Sequence, residues 1–181
     1  MKTIITVWIM MISMVLAHGQ FITPDTGAHY TLSDLVDISS GAITVDTGNV
    51  YTFHQSFILA PTDTLTVVGD SLSLIVAQDT TLYIEGVLIV DAEELYWQGS
   101  SDTTQMRGIR FEESAVAELS GVHFRHFGGV KVLSPQFSLT NSSLIGCSTL
   151  LNTGGALEFS RGRPRITNCT FEQNQRAAIS S

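Results

Sequence analysis

Basic residues are missing from a long stretch of this 181-residue chain. Residues 20–106 contain twelve Asp and Glu residues and no Lys or Arg, whereas residues 107–181 carry eight basic residues and five acidic ones. Nucleic acids require a basic footprint to contact their phosphates, so the acidic stretch argues against a nucleic-acid partner. We predict no cofactor. Calcium or a basic partner would suit the acidity, but a solvated acidic face explains it more simply.

Cysteine is scarce as well, with only Cys147 and Cys169 in the chain. Two cysteines are too few for a disulfide framework, and they lack the CxxC spacing of a metal or redox site. A disulfide between them is possible in an exported protein, but nothing in the sequence requires it and we do not expect one. In the segment HFRHF, His123 and His126 would need further ligands to form a zinc site. We interpret them as surface or turn residues and predict no metal site.

No apolar run is long enough to cross a bilayer. The charge-free run at residues 4–16 falls short of the roughly 20 residues that a spanning helix needs. Lys2 precedes this run and the small residues Ala17 and Gly19 follow it, so residues 1–19 have the form of a secretory signal peptide. We expect the protein to be secreted or held at the cell surface, with no membrane span after cleavage. A retained signal anchor is the alternative.

Helical periodicity is almost absent after the leader. Only residues 31–41 place apolar side chains on one face, with Thr31 as the N-cap, Asp34 three residues later and Gly41 as a stop. We therefore predict an N-terminal cap segment at residues 20–42 that contains one short helix. Residues 43–181 instead show short stretches with alternating apolar residues, separated by Gly, Asn, Asp, Ser and Pro, which indicates strands.

The second half of the chain also repeats. One set of lines opens with small residues, namely Gly108, Gly129, Ala156 and Ala178, spaced by 21, 27 and 22 residues. A second set is anchored by Leu119, Leu139 and Ile166, spaced by 20 and 27 residues. Two strands that step by nearly the same interval indicate a solenoid, and coils made only of strands and turns indicate a parallel β-helix. The LxxLxLxxN pattern of leucine-rich repeats is missing, and the strands of a β-sandwich would not step in register.

This arrangement predicts which side chains stack between coils. Alternate residues of each line point inward, and the predicted core columns contain Ile109, Phe111, Val130, Val132, Leu157 and Phe159. Asn141 and Asn168 share one turn position, where a left-handed backbone suits asparagine and the two amides would form a short ladder.

The repeat lines resemble a known group of proteins. Residues 65–90, 108–111 and 166–174 are similar to the opening rung, the W/x-G-I-x-F coil and the I-x-N-C-x-F-x-N-N lines of exported right-handed parallel β-helix proteins of pectate-lyase-like fold, common in Bacteroidota. The resemblance covers most of the chain after the leader and implies an all-β, right-handed parallel β-helix. Because the last line, AAIS, breaks off, we expect the β-helix to be incomplete at its C-terminus.

The outward residues of three successive lines are Arg110, Lys131 and Glu158. In a β-helix the outer face of a parallel sheet is the best place to contact a glycan. A polysaccharide lyase would need acidic residues for calcium and a base there, and a hydrolase would need two or three close carboxylates. Neither set is present, so we predict no catalytic residue and regard these three residues as weak candidates for ligand binding.

The tripeptide Asp-Thr-Gly occurs twice, at Asp25 and at Asp46. It is the tripeptide of aspartic proteases, in which two carboxylates share one proton. The two aspartates lie only 21 residues apart and before the predicted core, whereas a protease draws them from separate lobes or subunits. We interpret both tripeptides as turns.

These observations predict an exported β-helix protein with a scaffold, adhesion or carbohydrate-binding role, whose partners would be polysaccharides or cell-surface components. The alternative is the N-terminal part of a polysaccharide lyase or glycoside hydrolase of the same fold. The sequence makes no prediction about oligomeric state.

Overall fold

The computed structural model describes residues 19–100, 106–148, 151, 155–160 and 162–181. The predicted signal peptide lies outside these residues except for its last position, so its cleavage stays a prediction.

Seventeen strands and one helix make up the regular structure of the described residues. The first elements are β1 (Gln20–Ile22), β2 (His29–Tyr30), α1 (Leu32–Ile38), β3 (Ile43–Asp46) and β4 (Val50–Phe53). They are followed by β5 (Ser56–Leu59), β6 (Thr64–Val76), β7 (Thr81–Ile84), β8 (Val87–Gly99), β9 (Gly108–Phe111) and β10 (Val116–Arg125). The last are β11 (Val130–Val132), β12 (Gln136–Thr140), β13 (Ser143–Ile145), β14 (Gly155–Phe159), β15 (Arg165–Thr167), β16 (Thr170–Glu172) and β17 (Ala177–Ser180).

The strands wind into a solenoid of about 5 turns, a right-handed parallel β-helix, as predicted. Each turn, called a coil below, adds one strand to a seven-stranded sheet with the order β1-β5-β7-β9-β11-β14-β17. It also adds a strand to a ten-stranded sheet that contains β15-β12-β10-β8-β6-β4-β3. Within the described residues, the β3–β4 pair is the one antiparallel pairing.

The long strands of the ten-stranded sheet bend once. In β10 the bend lies at Gly121, between residues 116–120, called the leading half below, and residues 122–125, called the trailing half. In the next coil the corresponding strand is divided at the same place into β12 and β13. β12 pairs with the leading half of β10, and β13 pairs with its trailing half. Each coil therefore has three sides: one strand of the seven-stranded sheet and the two halves of a bent strand.

Both predicted repeat lines are confirmed by the strand register. Leu119 lies opposite Leu139, which in turn lies opposite Ile166. In the seven-stranded sheet, the residues that follow the small opening positions are aligned in the same way: Ile109, Val130, Leu157 and Ile179.

The core is a set of apolar columns that run along the solenoid axis. All six predicted core residues are buried, namely Ile109, Phe111, Val130, Val132, Leu157 and Phe159. Aromatic rings fill the space between coils. Trp97 stacks on Phe124 with their ring centroids 5.6 Å apart, and Phe124 stacks on Phe127 at 5.2 Å. Because one coil alone cannot enclose these side chains, the core exists only where coils stack.

The predicted asparagine ladder is present at the bend. Asn141 and Asn168 have φ values of 50° and 53°, and the Asn168 amide donates to the Asn141 side-chain oxygen at 3.3 Å. Gly121 has a φ of 71° at the corresponding place one coil earlier. The left-handed conformation at this column allows the chain to turn sharply between the two halves of each strand.

The one predicted helix is confirmed as α1. The Thr31 side chain accepts from the Asp34 backbone N–H, and the Asp34 carboxylate accepts from the Thr31 backbone N–H, which completes a capping box. These hydrogen bonds to Thr31 lower the pKa of Asp34. Leu32 and Leu35 are buried against the solenoid. Whether this segment closes the end of the solenoid stays a prediction.

The buried carboxylate of Asp63 fastens the N-terminal segment to the first coil. Its oxygens accept from the backbone N–H groups of Asp25 at 2.9 Å, Thr26 at 3.0 Å and Ala28 at 3.1 Å, and Asp63 is fully buried. In return, the Asp25 carboxylate accepts from the Thr62 N–H and hydroxyl. The first Asp-Thr-Gly is thus a turn with φ values of 58° at Asp25 and 73° at Gly27.

The second Asp-Thr-Gly is also a turn. Asp46 ends β3, and the chain reverses through Gly48 and Asn49, with φ values of 85° and 62°, into the antiparallel β4.

Candidate functional site

The seven-stranded sheet presents the three residues that the sequence singled out. Lys131 lies opposite Arg110 on one side and opposite Glu158 on the other, so the three form one outward row across β9, β11 and β14. The register predicted for them is therefore present, and neighbouring members of the row are separated by the strand spacing of roughly 4.8 Å. Their role in ligand binding stays a prediction.

The charges of this row are already paired within the protein. The Lys131 ammonium lies 2.8 Å from a Glu158 carboxylate oxygen, and both side chains are largely covered. The Arg110 guanidinium pairs with Glu112, two residues along the same coil. A ligand that used either cation would have to displace a carboxylate, so this row is poorly suited to binding an anion. Of the two pairs, Lys131–Glu158 joins neighbouring coils.

A double-mutant cycle tests the structural role of the Lys131–Glu158 pair. We expect Lys131→Met and Glu158→Gln each to lower the free energy of unfolding by about 1 kcal/mol or less, because the pair is only partly desolvated. The coupling energy from urea unfolding should be favourable and roughly 0.5 kcal/mol. Independent, additive effects of the two substitutions would show that the pair contributes nothing.

A shallow groove with many polar side chains lies on the leading halves of β8, β10 and β12. It encloses about 280 Å³. Its outward side chains combine two carboxylates, three hydroxyls and one aliphatic group: Asp91, Glu118, Ser120, Ser138, Thr140 and Ile89. The groove therefore offers hydrogen-bonding groups from three successive coils within one surface.

The strand register sets the pattern inside the groove. Ser120 lies between Asp91 and Thr140 in one row, and Glu118 lies between Ile89 and Ser138 in the next. Asp91 and Glu118 are exposed, and neither forms an ion pair with another described residue. Their carboxylates are free to accept hydrogen bonds from a ligand, and the Ser120 and Ser138 hydroxyls both donate and accept. The Thr140 hydroxyl donates to the Leu119 carbonyl and is left as an acceptor.

The sequence reasoning missed this groove. The repeat lines AELSG and FSLTN do show polar residues at alternate positions, which is the signal that these residues point outward. The relation of Asp91 to Ser120 is hidden, however, because the bend after Asp91 has two more residues than the bend after Ser120.

The trailing halves carry a different cluster, centred on Tyr96. The His123 ring lies 5.3 Å from the Tyr96 ring, and the Arg125 guanidinium carbon lies 4.7 Å from the Tyr96 ring centre. His123 Nδ1 and Ser143 Oγ are hydrogen-bonded at 2.9 Å. The Tyr96 hydroxyl donates to Glu94 at 2.9 Å, and this bond raises the pKa of Tyr96.

The two predicted surface histidines occupy the expected positions. His123 is half-buried on the outer face, and His126 lies in the following turn with a φ of 50°. Within the described part of the chain, no group of three or more His, Cys, Asp or Glu side chains is placed to hold a metal ion.

Both cysteines are free thiols. Cys147 is buried, and burial raises its pKa, so the thiol is a poor nucleophile. Cys169 occupies the same position in its coil as Ser142 in the preceding one. Its Sγ lies 3.4 Å from the Leu139 and the Thr167 carbonyl oxygens, between which the single thiol hydrogen is shared. The cysteine thus replaces a small turn residue that also bonds to backbone carbonyl oxygens, since Ser142 Oγ donates to the Thr140 carbonyl.

The helical content of the described residues includes no segment with the length and apolarity that a membrane span requires. Comparison with known protein families, with curated proteins and with solved structures found no match. The β-helix is therefore established by the architecture of this chain alone, and the family resemblance inferred from its repeat lines stays a prediction.

Proposed function

We propose that this protein is an exported, non-catalytic β-helix scaffold whose groove on the leading halves binds carbohydrate. The observation that carries the proposal is the pairing of two exposed, unpaired carboxylates with three hydroxyls in one concave surface. Sugars present many hydroxyl donors, and carboxylate oxygens are strong acceptors for them.

The spacing of the groove also suits a chain-like ligand. Its polar groups stand on successive coils, roughly 4.8 Å apart along the axis, so neighbouring units of an extended saccharide would each meet a hydrogen-bonding side chain. The groove is open and shallow, which is compatible with a long ligand that extends beyond it in both directions.

Binding by neutral plant and microbial cell-wall oligosaccharides tests the proposal. We expect at least one oligosaccharide in a glycan array to bind, and the double variant Asp91→Asn, Glu118→Gln to weaken that binding roughly tenfold or more, because two charge-assisted hydrogen bonds become neutral ones. The affinity would be measured by isothermal titration calorimetry.

Asp70→Asn is the matched control, because Asp70 is an exposed aspartate outside the groove. It should leave affinity unchanged. The proposal fails if no oligosaccharide binds the wild-type protein, or if the double variant binds as tightly as the wild type.

The non-catalytic part of the proposal rests on the disposition of the charged side chains. Arg110 and Lys131, the two basic residues of the outward row on the seven-stranded sheet, are both ion-paired. Asp91 and Glu118 are solvent-exposed, whereas the acid of a glycosidase sits in an apolar pocket. Release of unsaturated uronides from pectin or alginate in the presence of calcium would contradict the proposal and favour the enzyme-fragment alternative.

Export is proposed from the N-terminal residues alone. Lys2, the apolar run and the small residues at its end support a cleaved leader. Mass determination of the protein recovered from outside the cell checks this, and an intact N-terminus on recovered protein would contradict it.

A further inference from the structure

Arg125 differs from the other basic residues of the central coils. Three of those residues have a carboxylate partner: Arg107 with Asp79, Arg110 with Glu112, and Lys131 with Glu158. Arg125 lies between Arg110 and Lys131 along the chain, but it forms no ion pair with any described residue. Its guanidinium is instead held over the Tyr96 ring, 4.7 Å from the ring centre.

This placement prepares the guanidinium for a partner from outside. A cation–π contact confines the guanidinium over the ring without using its N–H groups as hydrogen-bond donors to a carboxylate. A planar guanidinium pairs with a carboxylate through two parallel hydrogen bonds. The entropy that Arg125 would otherwise lose on binding is reduced, because its side chain is already confined.

A suitable carboxylate lies in the same patch. Glu94 is exposed, its carboxylate accepts one hydrogen bond from the Tyr96 hydroxyl, and it forms no ion pair with a described residue. Glu94 and Arg125 both contact Tyr96, one at the hydroxyl and the other over the ring. They form no ion pair with each other.

The surroundings of Arg125 have the composition of a protein interface. In its outward row Arg125 lies between Gln98 and Ile145, and Ile75 continues the row beyond Gln98. These side chains are all half-buried, so the row offers apolar surface beside the charge. Tyr and Arg with aliphatic neighbours are typical of an interface centre. Exposed carboxylates, here Glu94 and also Glu172 at the end of the row beyond Ile145, are typical of its rim.

We propose that the patch formed by Glu94, Tyr96, His123 and Arg125 binds the same patch on a second copy of this chain. A two-fold axis would pair each Arg125 with Glu94 of the other copy. A second copy is the occupant that the charges favour, because the patch carries one unpaired cation and one unpaired anion and is therefore complementary to itself. In a two-fold interface each contact occurs twice, so both ion pairs form together.

The dimer does not depend on the saccharide groove. The groove lies on the leading halves, whereas the patch lies on the trailing halves and on Glu94 in the bend before them, and they share no residue. Loss of saccharide binding with dimerisation intact, or the reverse, would separate the two proposals.

Sedimentation equilibrium of the full chain with charge-exchanged variants tests the dimer. We expect a concentration-dependent dimer that weakens at high salt. Arg125→Glu and Glu94→Arg should each weaken it roughly tenfold or more, since each places like charges opposite one another twice. The double variant Glu94→Arg, Arg125→Glu should restore dimerisation to within about threefold of the wild type, because both pairs are re-formed with reversed sign.

Arg107→Glu is the control, because it reverses an exposed charge outside the patch and should leave the dimer unchanged. Far-ultraviolet circular dichroism verifies that each variant is folded. A wild-type chain that stays monomeric up to about 1 mM overturns the proposal. So does a double variant that dimerises no better than the single variants, because rescue is the result that an indirect structural effect would not produce.

Discussion

Replacing Asp63 with alanine is expected to lower the free energy of unfolding by about 3–5 kcal/mol, a large share of the total for a domain of this size. The side chain is fully buried and accepts from three backbone N–H groups of residues 25–28. Alanine would leave these donors without a partner and would release the N-terminal segment from the first coil. Urea unfolding followed by circular dichroism measures the change.

Asp63→Asn keeps the shape of the side chain and removes its negative charge, so it measures the contribution of the charge to stability. The amide oxygen can still accept from Thr26 and Ala28 if it takes the place of Oδ1. The amide nitrogen then faces the Asp25 N–H, so two donors oppose each other. We expect a loss of about 2 kcal/mol, smaller than that of the alanine variant.

The stability that the Asp63 carboxylate contributes should depend on pH in a defined direction. Burial alone would raise the pKa of Asp63, but the hydrogen bonds from Thr23, Asp25, Ala28 and Thr26 outweigh it and lower the pKa in the folded protein. The contribution of the charged carboxylate is therefore complete above the unfolded-state pKa of about 3.9 and is lost as the pH falls through the lower folded-state value. The stability difference between wild type and Asp63→Asn should be largest near neutral pH and shrink below about pH 4.

Asp70→Ala provides the comparison for Asp63. Asp70 is exposed, and its truncation should change stability by less than about 0.5 kcal/mol. Equal effects of the two alanine substitutions, or a pH-independent difference between wild type and Asp63→Asn, would show that the carboxylate does not anchor the N-terminal segment.

We expect Gly121→Ala to lower the free energy of unfolding by about 3–5 kcal/mol, as much as Asp63→Ala does. Gly121 adopts a φ of 71°, and a methyl group there would overlap the backbone carbonyl oxygen of Ala92 in the preceding coil. The carbonyl cannot move away without breaking the register between β8 and β10. The substitution therefore combines backbone strain with a clash that no side-chain rotation relieves.

Gly27→Ala isolates the backbone part of this effect. Gly27 has nearly the same φ, 73°, and no atom lies within 4 Å of the position of an added methyl group. We expect it to lower the free energy of unfolding by only about 1 kcal/mol. If both alanine variants lost the same amount in urea unfolding, the close approach of Gly121 to Ala92 would carry no energetic weight.

The later coils could be predicted in detail because their sequence repeats from one coil to the next. Leu119, Leu139 and Ile166 each face the core at the same point of a coil, and any shift by one residue would expose all of them. The asparagine ladder was predictable for the same reason, since Asn141 and Asn168 must both adopt a left-handed turn.

The first coils could not be predicted at this level. Their strands can be recognised from the alternation of apolar and polar residues. The bends in β6 and β8 are longer than the one in β10, however, so the repeat interval differs between the first and the later coils. The anchoring role of Asp63 depends on a segment 35–38 residues earlier in the chain, and no local pattern predicts such a contact. Its flanking sequence, Pro-Thr-Asp-Thr, suggests only a turn.

The candidate site was also only partly predictable. The row of Arg110, Lys131 and Glu158 follows from alternation and from the repeat, and its register is correct. The partners of these charges were not foreseen, because the pairing of Arg110 with Glu112 is set by how the chain leaves β9. The groove depends on bringing Asp91 beside Ser120, and this requires knowing that the bends differ in length.

That difference in length has a practical meaning for the molecule. Three residues, Ala92 to Glu94, cross the bend in β8, whereas Gly121 alone crosses it in β10, yet the strands on both sides stay in register. The bend therefore absorbs insertions and deletions without passing them on to the neighbouring sheet. A peptide grafted at the exposed Glu93 position is expected to leave the stacked columns beneath undisturbed, but because it lies beside Glu94 it would obstruct the proposed dimer contact.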